Sequence, residues 1–137
     1  MKVVGVSTEV SNDRDDLLEN AWDLFFKSEV LDYLDGKNLS ADIISVYYNY
    51  QGDHTKPYSL LIGYEVDESF ETPTGFEDVI INLNHEQHRL EGEDTEAVIE
   101  KWQEIWDDNS RERAYIADFD RFNPIEDFIE INVEYKN

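Results

Sequence analysis

Ala114 to Phe122 reads AYIADFDRF, a strand-like run in which carboxylates stand between aromatic rings. With period two, Tyr115, Ala117 and Phe119 fall on one face and Ile116, Asp118, Asp120 and Phe122 on the other. The first set predicts a core face and the second a site. A carboxylate beside ring faces can receive a cationic aromatic ligand: the anion supplies charge, and the rings supply stacking and cation–π attraction.

Upstream, Asp42 to Tyr50 (DIISVYYNY) is rich in β-branched and aromatic residues and predicts a strand. Ile44, Val46, Tyr48 and Tyr50 share one face of it, and Ile43, Ser45, Tyr47 and Asn49 the other. On this parity Tyr47 and Phe119 are assigned to the core. The loop QGDHTKP leads into a third strand, Tyr58 to Val66, where Glu65 has the parity of Leu61 and Gly63. Gly63 marks a bulge or a close approach of another group. The first strand is Val3 to Val10. Ser11 and Asn12 offer caps for a helix from about Asp13, with Asp15 and Asp16 suited to the positive end of the helix dipole. Leu18, Ala21, Trp22 and Phe25 recur at helical spacing, Gly36 is a stop, and Trp22 and Phe25 are expected in the core.

The same order then recurs. A linking strand, Glu77 to Leu83, and an extended segment, His88 to Glu91, precede a second helix that Asp94 can cap. Its apolar stripe is Val98, Ile99, Trp102, Ile105 and Trp106. AYIADFDRF follows, and then a last strand, Asp127 to Tyr135, in which Glu130 alternates with Ile129 and Ile131. Laid on each other, VYYNY and DFDRF place Tyr48 opposite Asp120. The expectation is an α+β fold of duplicated strand-helix-strand-strand halves meeting at a central ligand cleft, a single domain over residues 1–137.

Composition narrows the partners. Thirty-three Asp and Glu against 11 Lys and Arg give a net charge of −22, and no basic cluster interrupts it. Nucleic acid and anionic membranes are therefore disfavoured, and cationic partners favoured, although the same charge also serves solubility. The absence of cysteine excludes disulfides and thiolate chemistry. MKVVGVSTEV is too short and too soon polar for a signal peptide, so a cytoplasmic location is expected. A homodimer through an exposed strand edge, or a separate regulatory protein, remains open.

The stretches AWDLFF, SVYYNYQGDHTKPYSLLIGYEV, AVIEKWQEIW, ERAYIADFDRF and IEINVEY together cover most of the chain. In order and spacing they resemble the GyrI-like effector-binding family, especially its AraC-type and integron-associated stand-alone members. The resemblance implies the fold of multidrug-regulator effector domains, with a cleft for cationic or amphipathic drug-like compounds. Family members occur fused to DNA-binding helices in transcription regulators and also alone. Here the first strand starts at Val3, so the expectation is a binding module without its own transcriptional output. The family's acidic residue, usually Glu, falls on Asp120, one methylene shorter, which bears on ligand size. Some relatives are hydrolases of reactive natural products, and others inhibit a partner such as gyrase.

Asp120 is the principal candidate ligand-binding residue; the alternative is a strand carboxylate paired with Arg113. Glu65 and Glu130 are second-rank acids. Tyr48, Tyr50, Trp102, Trp106, Tyr115 and Phe122 are candidates for the cleft wall, though rings of this kind also build cores. His85 and His88 have no third ligand at metal-binding spacing, and His54 reads as a loop residue fixing backbone. No metal or cofactor is expected, and GxGxxG and GxSxG are both absent. Small-molecule binding is the primary reading. The alternatives are hydrolysis of an electrophile in the same cleft, with Asp120 or Glu65 handling water, and docking of the acidic surface on a basic protein.

Overall fold

A computed structural model describes residues 1–92 and 95–136, so Asp94, the expected cap of the second helix, lies outside the described residues. Strand β1 (Lys2–Val10) leads into helix α1 (Asp15–Ser28), the short helix α2 (Val30–Tyr33), and strands β2 (Ile43–Tyr48) and β3 (Tyr58–Val66). After β4 (Glu77–Ile80) come β5 (Glu86–Glu91), helix α3 (Thr95–Asp107), β6 (Ala117–Asn123) and β7 (Phe128–Val133). All are joined in one antiparallel sheet of order β4-β1-β3-β2-β6-β7-β5. The runs β1-α1-β2-β3 and β5-α3-β6-β7 repeat one element order. Their strands lie symmetrically about the central β2–β6 pair, and β4 is an additional edge.

Alternation in each strand gives the sheet two apolar faces. Toward the helices, Val4, Leu60 and Ile62 pack with Ala21 and Phe25 of α1, while Ile131 and Val133 pack with Trp102 and Ile105 of α3. The reverse face gathers Val3, Ile44, Val46, Leu61, Ala117 and Phe119 under Ile81. Ile81 belongs to the segment joining β4 to β5, whose His85 donates from Nε2 to the Ala117 carbonyl at 2.7 Å and meets the Phe119 ring edge-on. Phe119 is thus a core residue. Gly63 faces Gly5 across β1 and β3, and a Cβ there would stand 1.9 Å from the Val4 carbonyl oxygen. The close approach expected from this glycine is present.

The first helix departs from expectation at both ends. It begins at Asp15 rather than Asp13, and neither Ser11 nor Asn12 caps it. The Ser11 hydroxyl is engaged by the Asp13 carboxylate, and Asn12 bonds to the His54 carbonyl and the Tyr58 hydroxyl instead. At the other end Glu29 takes a left-handed conformation that separates α1 from α2 before Gly36, at φ 76°, ends the helical run. Among the described residues, no helix is long and apolar enough to cross a membrane.

Candidate functional site

Two helices laid on one face of a twisted sheet leave a groove where they diverge, above the strands that join the halves. Here the groove is a cavity of about 390 Å³ over β2 and β6. Leu18 and Trp22 of α1 form one wall, and Val98, Ile99, Trp102 and Trp106 of α3 the other. Its floor is Tyr47, Tyr58, Leu60, Asp120, Phe122 and Ile129, and Asn12, Tyr50, His54 and Arg113 complete the lining.

Register explains why the polar groups gather here. In the β2–β6 pair Ser45 lies across from Asp120 and Tyr47 across from Asp118, all four on the helix-facing side. The strand β2 then ends at Tyr48, and Asn49 takes φ 52°. That residue breaks the alternation, so Tyr50 turns back to the side of Tyr47 and donates to Asp118 Oδ2 at 2.6 Å.

The two carboxylates are both buried and differ in their partners. Asp118, fully buried, accepts from Tyr50, from Arg113 Nη2 at 2.6 Å and from the Glu134 amide at 2.9 Å. Asp120, 1% exposed, accepts from the Tyr47 hydroxyl at 2.5 Å through Oδ2, whereas Oδ1 has no partner among the described residues. The Trp102 indole N–H faces this carboxylate closely enough to favour its charged form, yet makes no hydrogen bond of ordinary geometry. Burial dominates: it raises Asp120 from the usual 3.8 to about 7, against the lowering effects of Tyr47 and Trp102 and with a further upward push from Asp118. Burial likewise lifts Tyr47 and Tyr50 well above the ordinary phenol range, the carboxylates adding to it, so both stay protonated donors.

The rings form a continuous surround. Tyr47 meets Tyr58 and Trp102 edge-on at 5.8 and 5.5 Å, Trp22 meets Phe122 edge-on at 5.4 Å, and His54 stacks on Trp106 at 5.2 Å. The cavity therefore has aromatic walls and is lined by the Asp120 carboxyl and the Arg113 side chain.

Of the residues singled out from sequence, Asp120, Tyr50, Trp102, Trp106 and Phe122 line this cavity. Three others do not, because strand parity carries them to the reverse face. Tyr48 pairs across from Ala117 and bonds to Ser7 at 2.8 Å. Glu65 lies 3.5 Å from Arg121 as an ion pair, and Glu130 lies across from Arg121 on β7. The overlay of Tyr48 on Asp120 is corrected for the same reason. Tyr115 precedes β6, takes φ 52°, and packs against Tyr50 and under Arg113 without lining the cavity. Arg113 pairs with Asp118 rather than with Asp120.

Sequence reasoning missed Tyr47, Tyr58, Trp22, His54 and Arg113. Tyr47 had the parity of Ser45, and pairing Ser45 with Asp120 would have found it. Trp22 lies on the edge of the α1 stripe rather than under it. His54 does hold backbone, through its carbonyl to Asn12, but its ring is part of the wall.

No family model and no curated protein sequence matches the chain. Solved structures share its fold, two of them over nearly the whole chain. An integron cassette protein from the mobile metagenome of Vibrio cholerae superposes with a TM-score of 0.73 at 17% identity, over 99% of this chain and 90% of that one. SAV2435, solved bound to tetraphenylphosphonium, superposes with a TM-score of 0.73 at 18% identity, over 100% of this chain and 89% of that one.

Proposed function

We propose that the protein is a small-molecule binder that takes a ring-bearing cationic or amphipathic compound into the groove between α1 and α3, in the manner of a GyrI-like effector-binding domain. The observation that carries this reading is Asp120: a buried carboxyl on the floor of an aromatic-lined cavity, with Oδ1 left without a partner among the described residues. A buried polar oxygen without a partner is costly, and a cation between the rings supplies what it lacks. The tetraphenylphosphonium held by the SAV2435 fold, a bulky aromatic cation, supports the same ligand class. Of the residues expected at the site, Asp120, Tyr50, Trp102, Trp106 and Phe122 act as ligand contacts on this reading, joined by Tyr47, Tyr58 and Trp22.

Calorimetry with 10-methylacridinium and tetraphenylphosphonium, against neutral acridine at pH 8, tests it. Binding of the cations in preference to acridine is expected. Binding of neither, or equal binding of cation and neutral ring, overturns it.

A second reading, hydrolysis of a reactive electrophile, draws on the same group. A carboxyl poised at about 7 can take a proton from a water at neutral pH. Turnover of an electrophile by the wild type and its loss in Asp120→Asn would favour catalysis over binding alone.

A further inference from the structure

Arg113 is 7% exposed and lines the groove, with its guanidinium carbon 5.5 Å from the Trp102 ring centroid and 4.5 Å from that of Tyr115. Only one arm of its guanidinium is used. Nη2 donates to Asp118, while Nε and Nη1 are buried without a hydrogen-bond partner among the described residues. A buried guanidinium with idle donors, in a side chain that lines a cavity, calls for an acceptor.

Charge decides which acceptor. The positive charge of Arg113 is already balanced by Asp118, which is fully buried and has the Tyr50 hydroxyl and Glu134 amide as its other donors. A ligand carboxylate would add an uncompensated anion to an apolar groove that also holds Asp120. A neutral carbonyl oxygen accepts the idle N–H groups without adding charge.

We infer that the groove reads a neutral acceptor oxygen through Arg113, so that its ligand is a ring-bearing cation that also carries a carbonyl. This inference rests on the proposed cation-binding role of the groove and adds a second recognition point to it.

The test compares two probes by calorimetry, (4-acetylbenzyl)trimethylammonium and (4-isopropenylbenzyl)trimethylammonium, which differ only in C=O against C=CH2. The acetyl cation is expected to bind about tenfold more tightly to the wild type. Arg113→Lys keeps a positive charge for Asp118 but removes Nε and Nη1, and the ratio should fall to near one. Equal affinity of the two probes for the wild type overturns the inference and leaves the cation-binding reading intact. Failure of both, together with 10-methylacridinium, overturns the two readings together; failure of both while 10-methylacridinium binds overturns this one alone. Should Arg113→Lys not fold, the carbonyl stretching frequency of the isotope-labelled acetyl probe gives the answer in the wild type. A lower frequency on binding supports the hydrogen bond, and an unshifted band overturns it.

Discussion

Asp120→Asn separates charge from shape at the floor of the groove. The amide keeps an oxygen for the Tyr47 hydroxyl and fills nearly the same space, so what disappears is the capacity to carry a negative charge. A cation about 4 Å away in surroundings of effective dielectric about 20 is attracted by about 4 kcal/mol. Part is offset by stripping water from the cation and, near neutrality, by removing the proton that Asp120 holds with a pKa of about 7. A net loss of about 2 kcal/mol, roughly thirtyfold in Kd, is expected. The pH dependence sharpens the test. A permanent cation such as 10-methylacridinium prefers the ionised carboxylate, so its affinity should rise with pH through about 7 and then level off. The phenols around the cavity cannot supply that step, because burial keeps Tyr47, Tyr50 and Tyr58 protonated there. His54, at the Trp106 wall, is controlled for by His54→Gln. Titrations between about pH 5.5 and 8.5 should show the step in the wild type and in His54→Gln, and its loss in Asp120→Asn. A wild-type affinity that is flat across this range, or an Asn variant within about threefold of wild type at pH 8, would refute the reasoning.

The remaining predictions use the same contacts. The ligand-free protein should lose stability as pH rises, because the folded pKa of Asp120 stands above the ordinary 3.8: the contribution is complete below 3.8 and lost by the time pH passes about 7, on the order of 4 kcal/mol in all. Asp120→Asn should therefore melt higher than wild type by several degrees at pH 8 and by less at pH 5.5, read by scanning fluorimetry. Tyr47→Phe removes the hydrogen bond that favours the charged carboxylate, and should move the pH midpoint of 10-methylacridinium binding upward by about one unit. Arg113→Met leaves Asp118 buried without its counter-charge and should cost about 3 kcal/mol in urea unfolding, with much of it recovered on adding Asp118→Asn. Gly63→Ala, whose Cβ would meet the Val4 carbonyl, should cost about 2 kcal/mol or more, whereas Glu65→Gln and Glu130→Gln, on the reverse face, should change cation affinity by less than about twofold.

Much of the fold was legible because each strand has a clean two-residue period and each long helix one apolar stripe. The runs VVGVSTEV, IISVYY and YSLLIGYEV define their strands by composition alone, and Gly63 announced the close approach that the β1–β3 pair requires. The site was less legible, for a reason set by backbone geometry. Alternation predicts faces only while the strand continues, and Asn49 and Tyr115 both take positive φ beside the decisive strands. Counting through Asn49 put Tyr50 with Tyr48, whereas the chain turns Tyr50 to the opposite face, with Tyr47. Glu65 was misplaced differently. Its parity with Leu61 and Gly63 was right, but sequence does not say which face of a sheet receives the helices, and both faces here are apolar.

The pair Asp118 and Asp120 shows one residue type buried in two different ways on a single strand. Both are buried on the same face, and each alone would be expensive. Asp118 is answered in full, by a guanidinium, a phenol and a backbone amide, so its charge joins the segment before β6 to the end of β2 and of β7. Asp120 is answered by one phenol on one oxygen, with an indole nearby, and its other oxygen has no partner among the described residues. The expense of burying Asp120 with one oxygen unpartnered among the described residues is what makes its proton easy to shift. A fully partnered carboxylate in the same place would hold its charge at every physiological pH and gain little from a ligand. This one stands near the point of losing its proton, and on the proposed reading a cation entering between Trp102, Tyr58 and Phe122 would supply the partner that Oδ1 lacks among the described residues.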